Sequence, residues 1–261
     1  MNDYGTSPSE IDYKAFLHYI EHLKKTGITA RTLQSYIGNL KTYFRYLQQE
    51  NYRADNPIEN INIKGVPKTV LNNLLEADEL EDLYYSYEAN GQNLSRKRNK
   101  IIIGLLVYQG LQTTELQHLK EEHVELYKGK IHVPGTKRSN GRTLELKPWQ
   151  LMEFMEYVNQ IRPQLLKQTQ QNTEQLFISL GGSLSLHNVI RDINEELKKI
   201  NYGFQNGNQI RSSVIVNWLK QHNLRKVQYM AGHRYISSTE RYKQDDLESL
   251  HEMISNFHPI Q

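Results

Sequence analysis

Ala231-Gly232-His233-Arg234-Tyr235-Ile236-Ser237-Ser238-Thr239-Glu240-Arg241-Tyr242 is the most informative stretch of the chain. A Gly-His turn is followed nine residues later by a tyrosine flanked by Arg241 and Lys243. Upstream, Asn208-Gln209-Ile210-Arg211 opens an apolar segment. A phenol among cations has the chemistry of a nucleophile for a phosphodiester, because cations offset the charge of the anion under attack. The flanking periodicity is helical: Asn208 to Gln221 and Leu224 to Met230 precede the stretch, and Asp246 to Phe257 follows. In that last segment Leu247, Leu250 and Ile254 recur at helical spacing, as a helix that docks on a neighbour or on its own domain would require.

Further upstream, helices are expected over Ser185–Ile200 and Trp149–Arg162, with the glutamine-rich residues 164–175 between them as an exposed loop. Lys130-Ile131-His132-Val133 and Arg142-Thr143-Leu144-Glu145-Leu146 alternate apolar and polar residues. Turn residues fill Gly135 to Gly141, so a β-hairpin with a basic loop is predicted. An apolar helix over Asn99–Tyr108 stops at Gly110, and Thr113 or Thr114 caps the next one. Asp78 is suited to cap a helix that begins this larger domain near Leu75. Before it, Ile11, Phe16, Leu17, Ile20 and Leu23 mark one helix. Leu33, Tyr36, Ile37, Leu40, Tyr43, Phe44 and Leu47 mark a second. The aromatic residues Tyr36, Tyr43, Phe44 and Tyr46 read as core rather than as a base-stacking surface. The expectation is a mainly α protein with a small β-hairpin: a helical domain over 1–65, a linker over 66–74 and a second domain over 75–261.

Composition bounds the partners. The 261 residues carry 32 Lys and Arg against 29 Asp and Glu, a net charge of +3, so global charge does not announce a polyanion. No apolar run reaches membrane-spanning length, and cysteine is absent, which excludes disulfides and thiolate metal sites. Local charge says more. Seven Lys and Arg stand between Gln205 and Lys243 against one acid, six between Lys128 and Lys147 against one acid, and four between Ser95 and Lys100. Three basic clusters could line one phosphate-binding face, or be three solvated patches.

These residues resemble the tyrosine site-specific recombinases, the phage integrase family. Gly110-Leu111-Gln112-Thr113-Thr114-Glu115-Leu116 is similar to its Gly-Leu-Arg-x-x-Glu-Leu box, and Thr136-Lys137 to its hairpin lysine. Asn208-Gln209-Ile210-Arg211 is similar to His-x-Leu-Arg, Ala231-Gly232-His233 to Leu-Gly-His, and Tyr242 falls at the family's offset. The N-terminal helices resemble its SAM-like core-binding domain. The resemblance implies a clamp around double-stranded DNA, cleavage through a 3′-phosphotyrosine, no metal or other cofactor, a tetramer or a partner recombinase, and a cytoplasmic home in a bacterium or phage. It makes Tyr242 the nucleophile, Arg211 a phosphate-gripping arginine and His233 a phosphate partner. It makes Lys137, or less readily Arg138, the general acid, and gives Glu115 the task of orienting the site. Arg138, Arg234, Arg241 and Lys243 are expected against DNA.

Two departures stand out. Gln112 occupies the place of the family's first arginine, and Asn208 that of the first histidine. A charged hydrogen bond contributes about 1.5–3 kcal/mol against about 1 for a neutral one. One missing transition-state cation costs on the order of a hundred- to thousand-fold in rate. Such a site is either retuned, with Arg138 or Arg234 compensating, or weakened, leaving a DNA-binding protein or an accessory subunit of an active recombinase.

Overall fold

The computed structural model describes residues 11–66, 73–89, 91, 93–181 and 185–243. The chain divides into two compact units, Met1–Thr69 and Val70–Gln261. Residues 67–72 of the expected linker and the expected C-terminal helix at 246–257 lie outside the described residues.

In the first unit, α1 (Tyr13–Lys25) and α2 (Ala30–Gln49) begin at Asp12 and Thr29, whose side chains accept from the backbone N–H groups of Ala15 and Thr32. Phe16 and Ile20 of α1 close on Leu33, Ile37, Phe44 and Leu47 of α2, with Ile58 beneath. One expectation fails here. Phe44 is core, but Tyr36, Tyr43 and Tyr46 are 46%, 42% and 51% exposed. Their phenol hydroxyls keep water while the buried stripe narrows to the four aliphatic and phenyl positions.

The second unit is built around α4 (Leu94–Gln109), whose residues Ile101 to Val107 are all buried. Its hydrophobic surface runs all round, as a central helix requires. Around it lie α3 (Ala77–Tyr85), α5 (Thr113–His118), α6 (Pro148–Glu156), α7 (Arg162–Thr169), α8 (His187–Ile200), α9 (Gly207–Gln221) and α10 (Leu224–Ala231). The hairpin forms from β2 (Lys130–Val133) and β3 (Arg142–Glu145) in antiparallel register, Val133 opposite Arg142, and β1 (Val124–Glu125) adds a third strand beside β2.

Several boundaries differ from the sequence reading. The cap of α3 is Glu76, not Asp78, and its backbone N–H is taken by Glu79 Oε2 at 2.9 Å. The cap of α5 is Gln112, not Thr113 or Thr114. The helix expected to stop at Arg162 passes through a π-helical turn (Tyr157–Ile161) and continues as α7 to Thr169, so only part of the glutamine-rich segment is loop. The wider turn accommodates Pro163, which has no N–H to bond the preceding turn.

The cluster at Ser95–Lys100 does not join a phosphate-binding face. Arg96 pairs with Glu196 at 3.3 Å and Lys97 with Glu156 at 2.5 Å. Arg98 is buried and donates to Ile178 O and Asn99 Oδ1, while Lys100 donates to the carbonyls of Tyr84 and Tyr87. These cations tie α4 to its neighbours because each one near the core needs an internal partner.

Candidate active site

The site assembles where α4, α5, α9, α10 and the hairpin meet. Two glycines make the meeting possible. Gly110 ends α4 at φ 57°, and a Cβ there would stand 3.1 Å from both Val214 and Trp218 of α9. Gly232 ends α10 at φ 69°, and a Cβ there would stand 2.5 Å from Arg142 Nη1. Each position demands a left-handed backbone and leaves no room for a side chain.

Helix ends leave carbonyls without partners, and two arginines take them up. Arg211, 5% exposed, projects from α9 and donates to Gly110 O and, at 2.6 Å, to Ala231 O. Arg142, 2% exposed, points inward from β3 and donates its Nε–H to Met230 O at 2.7 Å. Its two remaining nitrogens grip Glu115 at 2.7 and 3.0 Å, and Arg211 Nη1 lies 3.8 Å from the same carboxylate. Glu115 also accepts from the backbone N–H of Gln112 at 2.9 Å.

Glu115 is completely buried. Burial acts to raise its pKa, but the paired Arg142, the Gln112 N–H and Arg211 outweigh it, so the carboxyl is held below its ordinary range. Arg211 moves the other way: burial lowers its pKa, with Glu115 opposing and Arg142 adding to the shift. The Tyr242 phenol acts on the same guanidinium both as a charge and as a hydrogen-bond partner. An arginine starting this high stays protonated at neutral pH.

His233 leaves the α10 cap half-buried. Its Nδ1 lies 2.9 Å from the hydroxyl of the buried Thr239, and its ring stacks on Tyr242 with centroids 5.7 Å apart and planes 14° from parallel. Burial, then Arg211 and Arg142, push its pKa down to about 4, so the imidazole is neutral at physiological pH. Tyr242 lies on helical residues 236–243, half-buried against Ile215, Val227 and Ala231. A tyrosine held between a neutral imidazole and a fixed guanidinium is arranged for attack on an anion that bridges those two groups.

The hairpin loop docks on the same segment. Ser139 bridges to His233, and Asn140 N–H donates to Gly232 O at 2.9 Å. Lys137 and Arg138 are exposed at the loop's turn, and among the described residues none pairs with the Lys137 ammonium. Arg234 donates instead to Thr136 O at 3.1 Å, so it does not stand in for a missing cation as a free side chain. Gln112 is half-buried at the α5 cap and accepts weakly from Thr114 Oγ1 at 3.4 Å. Asn208 is exposed on the first turn of α9, and Arg241 and Lys243 are exposed beside Tyr242.

The sequence reading missed Arg142 and Thr239. Arg142 had a signal: it shares the inward face of β3 with Leu144, and a cation at an inward strand position requires a buried carboxylate. Thr239 had none beyond lying six residues after His233, since a threonine on a helix more often bonds its own backbone.

The family model described as the phage integrase family matches residues 73–248, well over half the chain. The chain belongs to the phage integrase family. It is a tyrosine recombinase, a DNA breaking-and-rejoining enzyme of site-specific recombination. Among its relatives, tyrosine recombinase XerD of Staphylococcus epidermidis is 29% identical over 252 residues, covering 95% of this chain and 83% of the relative. XerD of Staphylococcus aureus matches to the same extent. The fold is shared with the XerH site-specific recombinase bound to palindromic difH substrate in a post-cleavage complex, at a TM-score of 0.71 and 22% identity, covering 94% and 72% of the two chains. The Tn1549 transposon integrase in complex with transposon right end DNA gives a TM-score of 0.67 at 15% identity, covering 96% and 87%.

Proposed function

We propose that Tyr242 is the nucleophile that cleaves and rejoins duplex DNA through a 3′-phosphotyrosine link, with Arg211, His233 and Lys137 as its working partners. The observation that carries this is the convergence of Arg211 from α9, His233 from the turn after α10 and Tyr242 from the helical residues that follow. The phenol oxygen attacks phosphorus, and the 5′ oxygen departs. The Arg211 N–H groups not bonded to Gly110 and Ala231 face the phosphate, and His233 adds a neutral hydrogen bond. Lys137 supplies the proton that the leaving oxygen needs. The phosphoester bond is kept in the link, so neither a metal nor a nucleotide is consumed.

Charge counting explains what the departures do. Two buried arginines and one buried carboxylate leave a net +1 in the floor of the site. The attacked diester carries one negative charge and its five-coordinate transition state two. With His233 neutral and Gln112 uncharged, the second positive charge comes from Lys137. This makes the hairpin lysine more important here than in a site with an arginine at position 112. Glu115 and Arg142 position Arg211 and do not touch DNA, and Asn208, Arg138, Arg241 and Lys243 lie along the approach of the duplex.

The wider setting belongs to the same proposal: a first domain over 1–65 and a second over 75–261 that together grip DNA, assembly into a tetramer on paired sites or with a partner recombinase, a mobile element as origin, and a cytoplasmic location. Among the described residues no helix is long and apolar enough to cross a membrane. The test is a nicked duplex carrying the recognition site, recovered by selecting bound fragments from DNA next to the coding region. The nick releases a short strand after cleavage and traps the covalent complex. The wild type gives a slow-migrating adduct and Tyr242→Phe gives none. Saturated binding without an adduct would leave a DNA-binding protein with a weakened site.

A further inference from the structure

Arg234 immediately follows His233, and its guanidinium donates to the carbonyl of Thr136, 98 residues away in sequence, at 3.1 Å. Thr136 also organises the loop from within. Its Oγ1 accepts from the backbone N–H groups of Arg138 and Ser139, both at 3.1 Å, and its own N–H donates to Ser139 O at 2.9 Å. Thr136 is therefore the residue on which the turn bearing Lys137 is built. Beyond it, the loop is tied to the His233 segment by the Ser139 bridge and by the Asn140 N–H to Gly232 O bond. Those two ties hold the far side of the loop. The near side, where Lys137 sits, is held by Arg234.

We infer that Arg234 is a positioning residue for the general acid, clamping the hairpin loop so that Lys137 reaches the leaving oxygen. This rests on the reading of Lys137 given above. In the cleavage step the P–O5′ bond breaks as the bond from Tyr242 Oη to phosphorus forms. The O5′ atom takes a proton from the Lys137 ammonium and the Tyr242 proton passes to solvent; on rejoining, the attacking 5′ hydroxyl returns its proton to the neutral lysine and the departing Tyr242 oxygen takes one from solvent. A lysine has three donors on a flexible stem, so proton delivery depends on where its backbone is fixed. A guanidinium engaged with a loop carbonyl contributes through that geometry, not by gripping DNA.

The full chain is tested as the wild type, Arg234→Ala, Lys137→Ala and Tyr242→Phe. Each is given the same duplex with oxygen or with sulfur as the bridging 5′ atom at the cleaved position. A thiolate departs without a proton, so the sulfur substrate makes the general acid unnecessary. Lys137→Ala should be about 10²–10⁴-fold slow on the oxygen substrate and near wild type on sulfur. Arg234→Ala should be about 10-fold slow on oxygen, as for one charged hydrogen bond, and likewise restored on sulfur. Its DNA affinity and the salt dependence of that affinity should be unchanged, whereas loss of a phosphate contact lowers the salt slope by about one.

A wild-type rate for Arg234→Ala on oxygen overturns the clamp. So does an equal deficit on both substrates, or a reduced salt slope. If Lys137→Ala is itself not restored by sulfur, the general-acid reading falls first and the clamp with it. Tyr242→Phe must be silent on both substrates for the comparison to report on this chemistry.

Discussion

Replacing Glu115 by glutamine should destabilise the second unit severely. The carboxylate is completely buried, bonded through both oxygens to an arginine that is itself 2% exposed, and lies 3.8 Å from a second arginine that is 5% exposed. Glutamine preserves the shape but leaves two buried guanidinium charges side by side with no anion. Removing one partner of a buried pair costs about 3–5 kcal/mol. For a unit of this size each kcal/mol moves Tm by about 2–4 °C, so a loss of about 6–20 °C is expected. Thermal unfolding followed by circular dichroism reads it. A double-mutant cycle with Arg142→Met isolates the pair: the double variant should be more stable than the sum of the two single losses implies. The recovery is incomplete because Arg142→Met leaves Met230 O without its donor. The pH dependence has a fixed sign. The folded pKa of Glu115 lies below its ordinary value of 4.5, so its contribution is complete above that value and is lost as pH falls through the lower folded value. The slope of stability against pH in acid should therefore flatten in Glu115→Gln. A Tm within 2 °C of wild type, with additive single variants, would refute the buried-triad reasoning.

Gln112→Arg adds a cation at the α5 cap beside Arg142 and Arg211. It should speed cleavage of the nicked duplex by about 10²–10³-fold while lowering stability by roughly 1 kcal/mol, since a helix N-terminus repels positive charge. No gain in rate under single-turnover conditions would mean that the site is tuned around the neutral side chain. Thr239→Val removes the hydroxyl that fixes His233 Nδ1. It should slow cleavage about 10-fold at unchanged DNA affinity, with Thr239→Ser near wild type. His233, with its folded pKa of about 4 below its usual 6.5, binds its proton more readily in the unfolded chain. Its neutral form therefore favours folding above pH 6.5, and this contribution diminishes as pH falls towards 4. His233→Gln should remove that part of the acid sensitivity in chemical-denaturation curves recorded from pH 7 to pH 4.

The strongly periodic parts of this chain were legible from the sequence, and so were the segments carrying Glu115, Arg211, His233 and Tyr242, which the fold brings together. Helices α1, α2, α4, α8, α9 and α10 and the hairpin follow from apolar spacing and turn chemistry. What escaped was set by tertiary contacts. The helix expected to end at Arg162 continues past Pro163 through a π-helical turn that apolar spacing does not reveal. Tyr36, Tyr43 and Tyr46 fit a buried stripe by spacing, yet they are half exposed, their phenol hydroxyls kept in water. The cations at 95–100 resemble a DNA-facing run, yet Arg96, Lys97 and Arg98 find partners at Glu196, Glu156 and Ile178, far along the chain. Arg142 and Arg234 were read as members of basic patches, whereas one neutralises a buried carboxylate and the other holds a loop carbonyl. For Arg96, Lys97, Arg142 and Arg234, the partner that decides the side chain's role is distant in sequence.

On the proposed chemistry, the phenol at 242 becomes covalently joined to the DNA backbone. The most direct measurement is to digest the trapped adduct with nuclease and protease and sequence the nucleotide-bearing peptide by mass spectrometry. A single modified residue, Tyr242, carrying a 3′-linked nucleotide is the expected result. A nucleotide on any other tyrosine, or on a serine, would contradict it.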